Sequence, residues 1–346
     1  MCKLPPADLA HILTHTGDLW QHLRGAHVFI TGGTGFFGRW LLESALAANQ
    51  QWALGLHVTV LTRDPAAFLV AHPHLAQQDM FDFLAGDIRS FPFPDRAFDY
   101  LIHGATSASA RLIAEDPLGM WDVIVSGTRR VLDFAKSQHL RGLLFISSGA
   151  VYGVQPPELA GMPEDYRGGP NPLHPVSVYG EGKRAAELLC ALYSQQYAIP
   201  VKIARGFAFV GPGLPLDTHY AAGNFIRDAL RGGPITVNGD GTPYRAYLYA
   251  ADLAIWLWTI LLNGVSCRPY NVGSEEAISI AGLAGAVAQQ FSPPPAVIVA
   301  QAACDGAASS RYVPSTRRPR EELGLRQQIS LADGLVRTIR AVRGMA

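Results

Sequence analysis

The chain has 346 residues, of which 49% are hydrophobic and 16% are charged. This balance describes a folded protein with a large buried core, which excludes a disordered chain, and the length favours two lobes. Lys plus Arg and Asp plus Glu both number 28, so no overall charge favours nucleic acid or a membrane surface as a partner.

The N-terminal segment predicts a helix, because the apolar residues between positions 9 and 24 recur at a helical spacing. We expect residues 1–24 to form a helical extension that packs on the edge of the following domain and has no function of its own.

A glycine-rich turn follows between a strand and a helix. Residues 28–30 are an apolar run typical of a buried parallel strand, and residues 39–48 predict a helix. The glycines between them are Gly32, Gly33, Gly35 and Gly38. Free N–H groups at the helix N-terminus make an anion site, and glycine lets the backbone approach a pyrophosphate closely. The pattern predicts dinucleotide binding; a glycine turn without a ligand is the alternative.

The end of the second predicted strand, residues 56–61, bears on the choice of dinucleotide. An acidic residue at this place holds the ribose hydroxyls of NAD, whereas a basic residue suits the 2′-phosphate of NADP. Thr62 occupies the acidic position and Arg63 follows, which favours NADP. Arg63 as a solvated loop cation is the alternative, and Asp64 keeps NAD open.

Two further strands end in residues that suit a cofactor. Asp87 follows the strand at residues 81–84 and can accept from the adenine amino group, although a turn aspartate is the alternative. The strand at residues 100–103 ends in small residues that let the chain pass close to the cofactor, namely Gly104, Ala105 and Thr106.

The next elements are a helix at residues 122–136 and a strand at residues 143–146 that ends in Ser147 and Ser148. The Pro- and Gly-rich residues 154–175 predict a long loop of the kind that covers a site at the carboxyl ends of parallel strands. A helix then runs to residue 196.

Beyond a sixth strand at residues 201–205 the pattern changes to short elements. We expect a helix at residues 224–230, a turn at 239–241 and a strand at 244–249. These predict a smaller substrate lobe, which returns to the main sheet through an apolar helix at residues 253–262.

Ser148, Tyr179 and Lys183 suit hydride chemistry at a hydroxyl-bearing carbon. Tyr179 and Lys183 are four residues apart and therefore share one helix face. A free tyrosine, with a pKa of about 10, is a poor base at neutral pH, and a nearby ammonium lowers that pKa. A serine at a nearby strand end can donate to the reacting oxygen. If the Tyr-x-x-x-Lys spacing is considered alone, the alternative is that Tyr179 and Lys183 are two exposed residues on one helix.

Several stretches together resemble the extended short-chain dehydrogenase/reductase superfamily, in its nucleotide-sugar epimerase/dehydratase branch. They are TGGTGFFG from Thr31, GDIR from Gly86, HGAT from His103, SSGAVYG from Ser147, YGEGK from Tyr179 and GDGTPYRAYLY from Gly239. The resemblance implies an α/β fold, with a Rossmann doubly wound parallel sheet and a smaller C-terminal substrate-binding lobe. Residues 25–205 would form the NAD(P)-binding domain, with 246–272 returning to it, and residues 206–245 and 273–346 the lobe.

By matching position, the resemblance implies a catalytic triad of Ser148, Tyr179 and Lys183. The implied cofactor-binding residues are Gly32, Thr34, Gly35, Phe36, Phe37, Gly38, Arg63, Asp87, Ile88, Gly104, Ala105, Thr106, Tyr179 and Lys183. The implied substrate-binding residues are Ser148, Gly149, Phe207, Asn224 and Arg245. An arginine fork at 245 suits a diphosphate, and a surface salt bridge is its alternative. Arg317 or Arg318 would also lie near the diphosphate, unless both are solvated.

The residues after Ser148 distinguish among reactions within that branch. The 4,6-dehydratases carry an Asp-Glu pair there, and UDP-glucuronate decarboxylases carry a glutamate where Ala150 stands. Gly149 and Ala150 cannot transfer a proton. We therefore expect oxidoreduction at carbon 4 of a nucleoside-diphosphate hexose, by a 4-epimerase or a 4-ketoreductase. The alternatives are a dehydratase or decarboxylase with a non-standard acid/base, a reductase of a small hydrophobic carbonyl compound, and a non-catalytic NADP-binding sensor.

The remaining expectations concern the protein's surroundings. The cysteines, Cys2, Cys190, Cys267 and Cys304, lack metal or redox spacing, which predicts structural thiols, no metal and a reducing cytoplasm. No apolar run has the length of a signal peptide or of a membrane span, about 18 residues. Relatives in the branch commonly dimerise through a four-helix bundle, and the helices at residues 122–136 and 182–196 are the candidates for a homodimer.

Overall fold

The computed structural model of the chain describes residues 3–106, 110–218, 220–302 and 309–344. The strands are β1 (His27–Thr31), β2 (His57–Thr62), β3 (Phe81–Ala85), β4 (Tyr100–His103), β5 (Gly142–Ser148), β6 (Val201–Gly206), β7 (Ala208–Val210), β8 (Ile235–Val237), β9 (Tyr244–Tyr249), β10 (Pro269–Val272), β11 (Ala277–Ser279), β12 (Val297–Val299) and β13 (Arg311–Tyr312). The helices are α1 (Pro6–Thr16), α2 (Phe36–Trp52), α3 (Pro65–Ala71), α4 (Pro73–Ala76), α5 (Ala110–Glu115), α6 (Pro117–Lys136), α7 (Val178–Tyr197), α8 (Ala221–Leu230), α9 (Ala250–Asn263), α10 (Ile280–Ala288), α11 (Arg317–Leu323) and α12 (Leu331–Arg343). Short 3₁₀ helices span Gly17–Leu23, Gly149–Tyr152 and Pro175–Ser177.

A parallel sheet of seven strands, in the order β10-β6-β5-β4-β1-β2-β3, forms the centre of the fold. Its strands are apolar on both faces because helices cover both. Val28 and Ile30 of β1 belong to the core that includes α2 and α9, while Phe29 between them belongs to the core that includes α6 and α7. The predicted α/β class and Rossmann sheet are confirmed. The strand order reverses between β1 and β4, where ligands of such sheets bind outside the carboxyl ends.

The six strands predicted for the first domain are present as β1 to β6, and β10 adds a seventh beside β6. Several helices begin earlier than predicted: α8 and α9 each start three residues early, at Ala221 and Ala250, and the two largest differences in this domain are at α2 and α6. Helix α2 starts at Phe36 and not at residue 39, with Gly35 as its N-cap. Helix α6 starts at Pro117 and not at residue 122, because Asp116 accepts from the Gly119 amide and proline suits a first helical turn.

The predicted N-terminal helix is α1 with the 3₁₀ helix that follows it, and α1 packs against α9 and α2. Its buried Asp8 accepts a hydrogen bond of 2.6 Å from the Tyr249 hydroxyl and one of 2.7 Å from Arg337. Because these partners lie on β9 and α12, the first helix ties together segments from both ends of the chain.

A second, smaller sheet is built on β9, which confirms the strand predicted at residues 244–249. Strands β11, β13 and β7 all pair with β9, and β8 pairs with β12. Gly241 has φ = 73° in the predicted turn. The assignment of residues 206–245 and 273–346 to a separate substrate lobe stays a prediction.

Within the ranges given above, no helix is both long enough and apolar enough to cross a membrane. Cys190 is buried and Cys267 is exposed, and both are free thiols. The other two cysteines, Cys2 and Cys304, lie outside the described residues.

Candidate active site

The glycine turn lies where β1 and β4 end side by side. Gly32 has φ = 75°, and a Cβ atom there would lie 2.6 Å from both the Ala105 nitrogen and the Gly104 carbonyl carbon. A Cβ atom on Gly38, in the first turn of α2, would overlap the backbone of Gly32 and Gly33. The two glycines therefore hold the turn, β4 and α2 in one tight contact.

The N-terminus of α2 opens onto this turn. The Gly35 amide donates to the Gly32 carbonyl at 3.1 Å, and Arg39 closes the first helical turn on the Gly35 carbonyl at 2.9 Å. Gly35 is the N-cap and has no side chain to cap the first amides. With the helix dipole, these amides form an anion site that suits a pyrophosphate. Phe36 and Phe37 begin the helix, and Phe37 packs edge-on against Phe209 at 4.8 Å.

Arg63 and Asp64 differ in how they are engaged at the end of β2. The Asp64 carboxylate caps α3 by accepting from the Ala67 amide at 2.9 Å. Arg63 is exposed, and Thr62 before it lies 3.3 Å from the Thr34 hydroxyl. Asp64, which as an acidic residue would favour NAD, is thus engaged as a helix cap, while the side chain of Arg63 faces solvent.

Asp87 forms a bidentate pair with Arg89, at 2.8 and 2.9 Å, and accepts from its amide. These hydrogen bonds, with a smaller contribution from the charge on Arg63, lower the pKa of Asp87 to about 2. Asp87 is therefore a turn aspartate, which was the alternative given for it, and its contact with adenine stays a prediction. Ile88 is buried against Gly127 of α6.

A buried network fixes the segment after β4. Thr128 donates to the Ile124 carbonyl at 2.5 Å, so it accepts from His103 Nε2 at 3.0 Å. His103 Nδ1 then accepts from the Thr31 hydroxyl at 2.7 Å, and Thr31 accepts from the Ala105 amide at 3.2 Å. Burial, and secondarily the charge on Lys183, lowers the pKa of His103 to about 3, so this histidine is neutral.

Thr106, at the end of the segment fixed by that network, is suited to a bound ligand. Its hydroxyl is buried and has no hydrogen-bond partner among the described residues. Gly104 and the Ala105 amide pass directly beside Gly32. A nicotinamide dinucleotide fits these features, because the glycine turn receives the pyrophosphate and Thr106 offers a polar contact beyond it.

The predicted triad comes together at the end of β5. Ser148 is the last residue of that strand, and its hydroxyl accepts from the Ala150 amide at 3.2 Å. Tyr179 lies in the first turn of α7, and Lys183, one turn on, donates to the Ile146 carbonyl at 2.8 Å. The shared helix face thus directs both side chains at the strand end, as the four-residue spacing predicts.

Burial controls the protonation of these groups. It raises the pKa of Tyr179 above its usual range, opposite to the lowering expected from Lys183, while the hydrogen bond with Ser148 works against the rise. Burial also lowers the pKa of Lys183 to about 8. At neutral pH the phenol is protonated, and Lys183 is closer to losing its proton than an exposed lysine.

The residues predicted to hold substrate divide into two places. Gly149 and Phe207 lie beside Ser148, whereas Asn224 lines a cavity of about 710 Å³ between α8, β8 and the Gly239–Gly241 turn. Arg245 forms no salt bridge among the described residues; its guanidinium lies 5.8 Å from the centre of the Tyr312 ring. The alternative of a surface ion pair at Arg245 is therefore not what the structure has.

The two arginines of α11 lie elsewhere. Arg317 pairs with Glu321 at 2.8 Å on the surface, and Arg318 donates to the Pro269 carbonyl at 2.9 Å. A different arginine of the same segment, Arg311, has a buried Nε without a partner among the described residues and lies over the Tyr244 ring at 4.9 Å. The prediction that Arg317 or Arg318 reaches a diphosphate gains no contact from the structure.

Sequence reasoning missed two tyrosines beside the triad. Tyr312 lies with its hydroxyl 3.4 Å from Ser148 Oγ, and the phenol of Tyr220, just before α8, acts on Tyr179 electrostatically. Tyr312 is placed by the pairing of β13 with β9, a two-residue contact that no local pattern in the sequence reveals. The sequence therefore carries no signal from which its place beside Ser148 could have been predicted.

The fold and site together define a class of protein: a nicotinamide-dependent enzyme built on a Rossmann sheet with a Ser-Tyr-Lys centre. The chain belongs to the NAD dependent epimerase/dehydratase family, whose model matches residues 28–273. It is 30% identical over 316 residues to UDP-glucuronic acid decarboxylase 1 of Xenopus tropicalis, covering 91% of this chain and 72% of that protein.

Solved structures show the same fold. An epimerase from Methanothermobacter thermautotrophicus superposes with a TM-score of 0.80 at 24% identity, covering 96% of both chains. The UDP-glucuronic acid 4-epimerase of Bacillus cereus, in complex with UDP-glucuronic acid and NAD, has a TM-score of 0.78 at 22% identity, covering 92% of this chain and 100% of that one. The match to the family model confirms the family resemblance seen in the sequence, and the solved structures confirm the fold.

Proposed function

We propose that the chain catalyses NAD(P)-dependent oxidoreduction at carbon 4 of a nucleoside-diphosphate hexose, as a 4-epimerase or a 4-ketoreductase. The packing at Gly149 is the observation that carries this proposal. A Cβ atom there would lie 2.7 Å from Phe207 Cζ and 2.8 Å from the Tyr312 hydroxyl. Neither Gly149 nor Ala150 offers a proton-transfer group, so elimination across neighbouring carbons lacks an acid/base pair at this place.

In this proposal the chain's own groups handle one oxygen and one proton. Tyr179 acts as the base in its ionised form: the phenolate takes the proton of the sugar hydroxyl as the carbonyl forms, and the resulting phenol returns that proton when the carbonyl is reduced. Ser148 holds the same oxygen, supported by the Ala150 amide. Lys183, which is buried and lies one helical turn after Tyr179, is assigned to stabilise the phenolate. The nicotinamide, when bound, accepts the hydride in oxidation and supplies it in reduction.

The nucleoside diphosphate is assigned to the cavity beside Asn224 and to Arg245. Tyr220 stands just before α8, which lines the cavity, and its phenol contributes to the raised pKa of Tyr179. Arginine forks suit phosphate oxygens, and Arg245 lies next to the catalytic end of the cleft. A small neutral carbonyl substrate would need neither group, so competition by free UDP, CDP or dTDP separates that alternative.

A second candidate is decarboxylation of a nucleoside-diphosphate uronic acid, favoured by the identity to UDP-glucuronic acid decarboxylases over nine-tenths of this chain. Oxidation at carbon 4 of a uronate places a ketone β to the carboxylate, and a β-keto acid loses carbon dioxide without a strong acid or base. The two candidates therefore share their first step and differ in the fate of the 4-keto sugar.

The deciding experiment incubates the chain with UDP-glucose, UDP-glucuronic acid, dTDP-glucose and a dTDP-4-keto-6-deoxy hexose, each with NAD or NADPH. Formation of the C4 isomer, or consumption of NADPH with the keto-sugar, supports the proposal. A nucleotide pentose with release of carbon dioxide supports the second candidate instead. A 4-keto-6-deoxy product from an intact hexose contradicts the argument from Gly149. Tyr179→Phe serves as the inactive control.

For the cofactor we propose a preference for NADP over NAD. Asp64 is engaged as the cap of α3, and Arg63 remains exposed at the strand end. An exposed guanidinium suits a 2′-phosphate, whereas a capped carboxylate competes poorly for ribose hydroxyls.

We also propose a homodimer in which α6 and α7 of one protomer pack on those of its partner. The two helices expose large apolar side chains for this purpose: Leu118, Trp121, Leu188 and Leu192. The molecular mass in solution, measured by light scattering, tests this assembly. A cytoplasmic location stays a prediction.

A further inference from the structure

Tyr312 brings a side chain of the small sheet into contact with the end of the central sheet. Strand β13 pairs with β9 so that Tyr312 lies opposite Arg245. The Tyr312 ring packs on Phe207, with 4.7 Å between ring centres, and under the guanidinium of Arg245 at 5.8 Å. The phenol is therefore held by a strand and two neighbours, which suits a group that must keep a fixed direction.

The hydroxyl of Tyr312 is directed at the catalytic serine. It lies 3.4 Å from Ser148 Oγ and 3.4 Å from the Gly206 carbonyl oxygen. O–H···O hydrogen bonds are usually about 2.7–2.8 Å long, so both contacts are weak. Neither partner therefore fully satisfies the Tyr312 hydroxyl, which leaves it able to donate to an additional oxygen held by Ser148.

We propose that Tyr312 is a further catalytic residue, whose hydroxyl donates a hydrogen bond to the same sugar oxygen that Ser148 and Tyr179 hold. This inference rests on the proposed function, because it needs a sugar hydroxyl or carbonyl at the Ser-Tyr-Lys centre. Tyr312 gives that oxygen a second fixed donor beside Ser148. Such donors stabilise the negative charge that develops on the oxygen during hydride transfer.

The charges around Tyr312 suit a donor that keeps its proton. Burial raises the pKa of Tyr312 to about 12, although Ser148, the charge on Arg245 and the Ala150 amide oppose the rise. An ionised Tyr312 would raise the pKa of Tyr179 further. Tyr312 therefore stays neutral and donates, whereas the proposed function assigns the exchange of the proton to Tyr179, which has Lys183 one helical turn away.

The glycine at position 149 leaves the space that this phenol occupies. A side chain at position 149 would occupy the space in which the Tyr312 hydroxyl and the Phe207 ring now meet. The two features therefore depend on each other: the Tyr312 phenol can lie here only because no larger residue, acidic or otherwise, follows Ser148. The structure replaces a proton-transfer group on the strand end with a hydrogen-bond donor from the other sheet.

The test is a single-turnover measurement on the full chain loaded with oxidised cofactor. Reduced cofactor is followed at the wavelength of its nicotinamide absorbance after a nucleotide hexose is added. We expect Tyr312→Phe, which keeps the ring packing, to slow this step by about 10- to 100-fold, with the KM for the sugar and the Kd for the cofactor within about threefold. Tyr193→Phe is the matched control, because it removes a phenol whose 2.5 Å bond to Asp133 lies between α6 and α7.

Ser148→Ala separates direct contact from mere orientation of the serine. If Tyr312 contacts the sugar oxygen, Tyr312→Phe slows the reaction further in the Ser148→Ala background. No further slowing there, or a Tyr312→Phe rate equal to that of Tyr193→Phe, overturns the inference while the proposed function stands. If the unaltered chain neither reduces oxidised cofactor with any of the sugars nor oxidises NADPH with the keto-sugar, the proposed function fails, and the role of Tyr312 fails with it.

Discussion

Replacing Gly32 with alanine tests whether the glycine turn is required by close backbone contact or only by its dihedral angles. Gly25 provides the matched control, since its φ of 65° is similar to the 75° of Gly32. A Cβ atom on Gly25 has no heavy atom within 4 Å, whereas one on Gly32 would meet three backbone atoms of Gly104 and Ala105 at 2.6–2.7 Å.

The expected magnitudes follow from that difference. Gly25→Ala carries only the left-handed strain of an alanine, about 1–2 kcal/mol of unfolding free energy. Gly32→Ala carries the same strain plus overpacking of about 1–3 kcal/mol, for a total of about 2–5 kcal/mol. The contacted atoms are backbone held by the His103 network, so they cannot move aside as a flexible side chain would. The protein folds, because its total stability is expected to be about 5–15 kcal/mol.

Urea unfolding of both variants, together with titration of NAD and NADP, measures the effect. We expect Gly32→Ala to lose more stability than Gly25→Ala and to bind both dinucleotides at least about tenfold more weakly, since displacement of Ala105 distorts the cofactor cradle. Equal losses of stability with unchanged dinucleotide affinity would refute the close-contact argument.

Three further changes probe the cofactor preference, the buried network and the N-terminal helix. Arg63→Ala should raise the Kd for NADP about tenfold and leave that for NAD within about twofold, as fluorescence titration would show; equal effects on both contradict the proposed preference. The pKa of His103 falls from 6.5 to about 3 on folding, so the unfolded chain binds the extra proton between these values. Stability should therefore decline as pH falls through this window, by at most about 1.4 kcal/mol per pH unit, and urea unfolding of His103→Gln should show a shallower decline. Asp8→Ala should lower the unfolding free energy by about 2–3 kcal/mol, since it leaves Arg337 without its 2.7 Å partner, whereas Asp333→Ala at the exposed end of the same cluster should change it by less than about 0.5 kcal/mol.

The central sheet was predictable because its signals are local. Parallel strands covered on both faces are short apolar runs, and their carboxyl ends must lie along one edge of the sheet, which places Thr62, Asp87 and Ser148 on that edge. The start of α2 was misplaced for an equally local reason. Glycine is a poor helix former, so Gly38 argued for a later start, yet contact with Gly32 and Gly33 requires glycine inside the first helical turn.

The small sheet could not be predicted from local signals in the sequence. Strands β7, β11 and β13 have two or three residues each and exist only because β9 lies beside them. Such short strands carry no periodicity of their own. No sequence pattern could therefore favour Arg311 over Arg317, although only Arg311 belongs to β13 and lies beside β9.

In the proposed function, the identity of the reaction depends on this same non-local contact. The sequence alone shows only that position 149 lacks an acidic side chain. This lack argues against a reaction that needs an acid there, but it does not specify which other reaction takes place. In the structure the space at Gly149 is filled by Phe207, which follows β6 of the central sheet, and by Tyr312 from the small sheet. Each added atom at position 149 would displace one or both. Under the proposed function, a change of reaction would require matched changes at Gly149, Phe207 and Tyr312, which lie far apart in sequence. Likeness along most of the chain to UDP-glucuronic acid decarboxylases is therefore compatible with the different outcome after oxidation at carbon 4 that we propose.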